Sequence, residues 1–202
     1  KRLGAYEWPL PERLHPDVFL GNMAQWWIHR YPKTEPLFLQ IGFPGPHPPY
    51  DPLAEDARKY LDKELPIAQV SQTDLDGQPP PFQALRNYHI DRHPDSVPHL
   101  IDPKPEWRQR QRAHYLANVT MIDRKIGEIL TALEEKGYLD NAVVVFTSDH
   151  GDCMGDHGQS QKWTCYEQIT HVPLVLWGPG RVPAGRTVKA LVQQMDIIPW
   201  LF

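Results

Sequence analysis

The run Thr147-Ser148-Asp149-His150-Gly151-Asp152 follows directly on a Val-rich stretch, so its polar side chains lie at the carboxyl end of a strand. Ligand sites of open α/β sheets collect at that end. Asp149 and His150, side by side, offer a hard oxygen and an imidazole nitrogen to a divalent cation. Gly151 lets the backbone turn sharply beneath them. Asp, Ser and Gly also build ordinary solvated turns, and an isolated Asp-His-Gly would read that way. A second acid–imidazole pair, Asp156-His157, and then Lys162 follow in the same loop. Charge of both signs packed just after an apolar strand argues for a site over plain solvation.

These residues need elements to hold them. Residues 142–147 read as a buried strand, and 172–177 as another, ended by Gly178-Pro179-Gly180. Tyr115, Val119, Ile122, Ile126, Ile129, Leu130 and Leu133 step by three and four, which predicts a helix over 106–136. Lys136-Gly137 supplies its basic last turn and C′ glycine. Val18, Phe19, Met23, Trp26 and Trp27 predict a helix over 16–31 that buries its tryptophans and stops before Pro32. Residues 37–43, a short apolar run between Pro and Gly, read as a buried strand. From 44 to 104 the chain is Pro-rich with little periodicity, a long loop of the kind that is functional or inserted. Residues 188–202 read as an exposed link and the start of a helix. This order argues for an α/β fold, a mainly parallel sheet covered by helices on both faces.

The segment 148–180, SDHGDCMGDHGQSQKWTCYEQITHVPLVLWGPG, closely resembles the second signature region of sulfatases and of their phosphonate monoester hydrolase relatives in the alkaline phosphatase superfamily. Gly42-Phe43-Pro44-Gly45-Pro46-His47-Pro48-Pro49-Tyr50 resembles the family's other active-site loop. The stretch 115–147 and the closing Asp196-Ile197-Ile198-Pro199 are similar to the family's as well. The resemblance implies that residues 1–202 are the C-terminal portion of a sulfatase catalytic domain of alkaline phosphatase-like fold, with a variable, loop-rich insertion at about 53–105.

Residue by residue, the resemblance makes Asp149 and His150 ligands of one divalent metal ion: calcium as in sulfatases, with manganese or zinc as the alternative. A nitrogen ligand disfavours Ca²⁺, which prefers an all-oxygen shell, so His150 keeps the transition metals open. His47 matches the histidine that meets the ester oxygen and would protonate the departing alkoxide. Lys162 matches the lysine that binds the anionic group. Asp156, His157 and Trp163 are expected around the substrate or behind the ligands. No nucleophile is present: Cys153 and Cys165 lie outside the Cys-x-Pro-Ser-Arg pattern that is oxidised to formylglycine, which is expected upstream. Both cysteines read as free thiols.

The implied function is hydrolysis of sulfate esters, small-molecule or glycan, in an intact parent protein. The alternative is hydrolysis of phosphonate monoesters or phosphodiesters. The non-enzymatic alternative is an inactive module that binds sulfated glycans. The net charge of −4 excludes a globally basic nucleic-acid binder. No run approaches the roughly 20 apolar residues of a membrane span. The chain opens without Met and stops in the apolar run 196–202, and so reads as a fragment; compartment and any homo-oligomer stay open.

Overall fold

The computed structural model describes residues 3–67 and 70–201. Its backbone is the 31-residue helix α5 (Pro105–Glu135). Pro105 sits in the first turn, where its missing N–H leaves no bond unmade. The far end stops as its Lys-Gly signal predicts: the Gly137 N–H donates to Glu134 O at 2.7 Å and the Tyr138 N–H to Leu133 O at 2.9 Å. Against it lies α1 (Pro16–Arg30), opened by His15, whose side chain accepts the Asp17 N–H.

Two small apolar clusters join these helices. Ile28, Ile129 and Ala132 form one, with Trp27, Ile41 and Phe43 packed on it. Val18, Leu53 and Met121 form the other, with Trp8 alongside. Each fully buried aliphatic side chain contributes about 1.5–3 kcal/mol. The face of α1 that is buried differs from the one expected. Phe19, Met23 and Trp26 are exposed, and Trp27 is half-buried and stacked on Tyr31. The stripe through Val18 and Ile28 faces α5 instead.

The Pro-rich stretch is not one long loop. It folds as α2 (Ala54–Leu61), α3 (Gln72–Gly77) and α4 (Pro80–Arg92). The prolines and polar residues punctuate these helices. Ser71 caps α3 by accepting the Asp74 N–H at 3.1 Å, and Pro80 occupies the first turn of α4, where proline is tolerated. Helix α2 is pinned to α5 by the fully buried Asp56, whose carboxylate takes Arg124 at 3.1 Å and Lys59 at 2.6 Å.

Among the described residues the sheet consists of β1 (Val144–Thr147) and β2 (Leu174–Trp177). They pair antiparallel, Val144 against Trp177 and Thr147 against Leu174, where a mainly parallel sheet was expected. The intervening loop leaves and re-enters the sheet at the same end, so β2 must run back along β1. Residues 37–43 form no strand. Neither strand is buried as its composition predicts: Phe146, Val175 and Trp177 are all exposed, and their register puts them on one face of the sheet, which is left open to solvent. Short α6 (Glu167–Thr170) precedes β2, and α7 (Ile197–Leu201) ends an exposed link.

Candidate active site

Two loops meet beside α5. The first, residues 44–50, carries His47. It is gripped at its start by Asp17, whose Oδ1 accepts the Gly45 N–H at 2.9 Å. Gly45 fits there only as glycine, since a Cβ would run into Asp17 Oδ2 and Ile122. At the loop's end Tyr50 is fully buried, with its ring edge-on to Tyr115 at 6.2 Å. Its N–H donates to Gly4 O at 3.0 Å and its carbonyl accepts the Tyr6 N–H at 3.1 Å. Burial raises Asp17 above the ordinary carboxylate range, partly offset by the Gly45 hydrogen bond and by His15.

The second loop leaves β1 and carries Asp149 and His150. Ser148 Oγ–H donates to His150 O at 2.8 Å, and Asp149 Oδ1 accepts the His150 N–H at 3.0 Å. Gly151 is pressed on α6: its N–H donates to Ile169 O at 2.8 Å, and the Gln168 carbonyl occupies the place a Cβ would take. From the C-terminal link, Gln194 Nε2 reaches the carbonyls of Ser148 and Asp149.

His47 and His150 face each other, ring centroids 6.4 Å apart and 70° between planes. Each donates its Nδ1–H to a nearby carbonyl at 2.8 Å, His47 to Pro48 O and His150 to Gly151 O. A carbonyl can only accept, so both Nδ1 atoms carry the hydrogen and both Nε2 atoms are left for other work. His150 Nε2 lies 3.5 Å from Asp149 Oδ2. An imidazole fixed through Nδ1 next to a carboxylate is a donor set that suits a divalent metal. Among the described residues no group of three or more His, Cys, Asp or Glu converges on a metal position, so these two donors would need completing from elsewhere.

The remaining residues singled out in the sequence divide into two groups. Asp156 pairs with Arg112 of α5. His157, at φ 56°, stacks on Tyr166 with centroids 4.0 Å apart and lies 3.2 Å from the Asp74 carboxylate of α3. These two residues tie the loop to the helical body; no hydrogen bond among the described residues links them to Asp149. Lys162 and Trp163 form a cation–π pair, with Nζ 5.7 Å from the ring centre. Trp163 is exposed and Lys162 half-buried, and neither is hydrogen-bonded to the two facing histidines. His171 is exposed and pairs with Glu167 at 3.1 Å. Both cysteines are free thiols: Cys165 is exposed, and burial pushes the Cys153 thiol up to about 12, which makes it inert.

Sequence reasoning passed over Asp17, Tyr50 and Asp152. The Tyr50 hydroxyl donates to Asp152 Oδ2 at 2.8 Å, and Asp152 Oδ1 accepts the Met154 N–H at 2.8 Å. Burial raises the Asp152 carboxyl above its usual range, while those hydrogen bonds and nearby His47 draw it down. The available signal was weak: Tyr50 closes the Pro-rich motif, and Asp152 follows the Asp-His-Gly turn.

The sulfatase family model matches residues 6–202. An arylsulfatase of Clostridium perfringens is 32% identical over 199 residues, covering 96% of this chain and 39% of its own length. Human iduronate 2-sulfatase is 32% identical over 178 residues, covering 85% of this chain and 32% of that protein. Among solved structures, the phosphonate monoester hydrolase of Agrobacterium radiobacter superposes with a TM-score of 0.72 at 26% identity, over 85% of this chain and 34% of that one. The chain thus spans about a third of the length of the relatives it matches.

Proposed function

The chain belongs to the sulfatase family, and from that membership we propose that it supplies the metal-binding and leaving-group part of a sulfate-ester hydrolase. The observation that carries this reading is the His47–His150 pair, with each Nε2 released by an Nδ1–carbonyl bond and Asp149 alongside. Asp149 Oδ2 and His150 Nε2 would hold a divalent cation, calcium in the first place and manganese or zinc as the alternative. When bound, such an ion supplies Lewis acidity towards a sulfuryl oxygen. His47 acts in its doubly protonated form: with Nδ1–H held by Pro48 O, the second proton passes from Nε2 to the oxygen of the departing alcohol, where negative charge builds up, and a neutral imidazole remains. Lys162 neutralises the anionic group, and the exposed Trp163 face offers an apolar wall for the alcohol part. The nucleophile, a formylglycine, and the remaining metal ligands are assigned to segments that the longer relatives carry.

On this reading residues 1–202 are the C-terminal portion of the catalytic domain, and the helical stretch within 53–105 is its variable insertion. The complete sheet is mainly parallel, and helices from the segments that the longer relatives carry cover the face bearing Phe146, Val175 and Trp177, exposed in this chain. The substrates are sulfate esters of small molecules or glycans.

A second reading, hydrolysis of phosphonate monoesters or phosphodiesters, is favoured by the nitrogen ligand at His150 and by the likeness to the Agrobacterium radiobacter enzyme. Assaying the full-length enzyme on an aryl sulfate and an aryl phosphonate monoester, with Ca²⁺, Mn²⁺ or Zn²⁺ in turn, separates the two. Preference for the sulfate is expected. Preference for the phosphonate with Mn²⁺ or Zn²⁺ would install the second reading, and activity on neither would remove both.

A further inference from the structure

The loop that carries His47 and the loop that carries Asp149 and His150 come from distant parts of the chain. Among the described residues one side-chain hydrogen bond joins them, from the Tyr50 hydroxyl to Asp152 Oδ2. The path through that bond is stiff at every step. Between His47 and Tyr50 stand Pro48 and Pro49, whose rings fix φ, so a displacement of Tyr50 is passed on to His47 with little absorbed between them. Tyr50 cannot drift, because both its backbone polar groups are bonded to the 4–6 segment and its ring is wholly enclosed. On the other side a single residue, Gly151, separates Asp152 from His150, and it is seated on the Gln168 carbonyl. Asp152 itself is steadied through its second oxygen by the Met154 N–H.

A buried tyrosine hydroxyl requires some acceptor, and a backbone carbonyl would serve. Here the acceptor is a side chain two residues from His150, so the bond fixes one functional loop against the other. We infer that Tyr50 and Asp152 are positioning residues that set the placement of His47 relative to Asp149 and His150, and so the reach of His47 to the departing oxygen. This inference rests on the reading of His47 as the group that protonates the leaving alcohol. It assigns neither residue a contact with substrate.

The test is Tyr50→Phe in the full-length enzyme, which removes one oxygen atom and keeps the buried ring. Two probes are compared: 4-nitrophenyl sulfate, whose phenolate departs without a proton, and phenyl sulfate, whose phenolate needs one. The expected result is a kcat on phenyl sulfate lowered about 10–100-fold and a kcat on 4-nitrophenyl sulfate lowered less than about threefold, with KM and metal affinity unchanged. Asp152→Ala, which removes the partner of the Tyr50 hydroxyl altogether, is expected to show the same split, and it decides the matter if Tyr50→Phe does not fold. Equal losses on both probes, or none, would overturn the inference. His47→Ala is the control. If it shows the leaving-group split and the other two do not, positioning by Tyr50 and Asp152 is wrong and the role of His47 stands. If His47→Ala affects both probes alike, the reading of His47 falls and this inference goes with it.

Discussion

The two loops of the candidate site are built to opposite standards. The His47 loop is held from inside: Asp17, which grips its start, is 2% exposed, and Tyr50, at its end, is 0% exposed. The Asp149 side chain is 84% exposed; its Oδ1 accepts the His150 N–H, and Gln194 from the link reaches only its backbone carbonyl. A group that must meet a departing oxygen loses rate when it wanders, because misplacement by about 1 Å can cost on the order of a hundredfold. On the proposed reading, the two metal donors must instead accept further ligands, and an exposed carboxylate leaves room for them. With the roles proposed for them, the difference puts rigidity at the proton donor and openness at the incomplete donor set.

The junction between the loops is where this contrast should break most visibly. Gly151→Ala would drive a methyl group into the Gln168 carbonyl, and backbone yields less readily than a side chain. We expect a loss of about 3 kcal/mol or more in urea unfolding. A loss under about 1 kcal/mol would show that this loop can shift on α6, and would remove the fixed reference for His150.

Acid should loosen the metal-side loop from its far end. His99 Nε2–H donates to Gly158 O at 3.0 Å, and burial, with His89, His93 and Arg86 nearby, pushes His99 from 6.5 down to about 4. The folded state therefore favours the neutral imidazole. Its contribution is complete above pH 6.5 and is lost as the pH falls towards 4, about 3 kcal/mol in all. Burial shifts His89 and His114 in the same direction. Unfolding midpoints between pH 7 and 4.5 should fall steeply in the unmodified protein and less steeply in His99→Gln, whose amide can still donate to Gly158. Parallel slopes would mean that His99 does not prop this loop.

The site was legible in part because its chemistry is local. Asp149, His150 and Gly151 are neighbours in sequence, and the Val-rich run ahead of them does form β1. Helices α1 and α5 were legible from period and caps. The face of α1 was not, because Phe19, Met23 and Trp26 form as good an apolar stripe as the one facing α5. The helices within 53–105 were hidden by prolines that occupy first turns as easily as loops. Sheet direction is decided by which strands meet, and no single segment encodes that. Asp17, Tyr50 and Asp152 were invisible for a related reason: each acts across 28 to 102 residues of sequence. Periodicity carries no information at that range.

A matched pair of substitutions sharpens the contrast with the smallest changes. Asp17→Ala deprives the half-buried Gly45 N–H of its acceptor, at a cost of about 1–2 kcal/mol. Asp149→Ala removes a side chain already in solvent, and its expected effect on stability is within about 0.5 kcal/mol. Metal affinity should reverse the order: Asp149→Ala weakens Mn²⁺ or Ca²⁺ binding by the full-length enzyme, and Asp17→Ala leaves it nearly unchanged. Calorimetric titration with each ion, beside unfolding of the same variants, measures both quantities. If Asp149→Ala were the more destabilising of the two, the open loop would depend on its carboxylate for folding, and the division between a rigid loop and a receptive one would not hold.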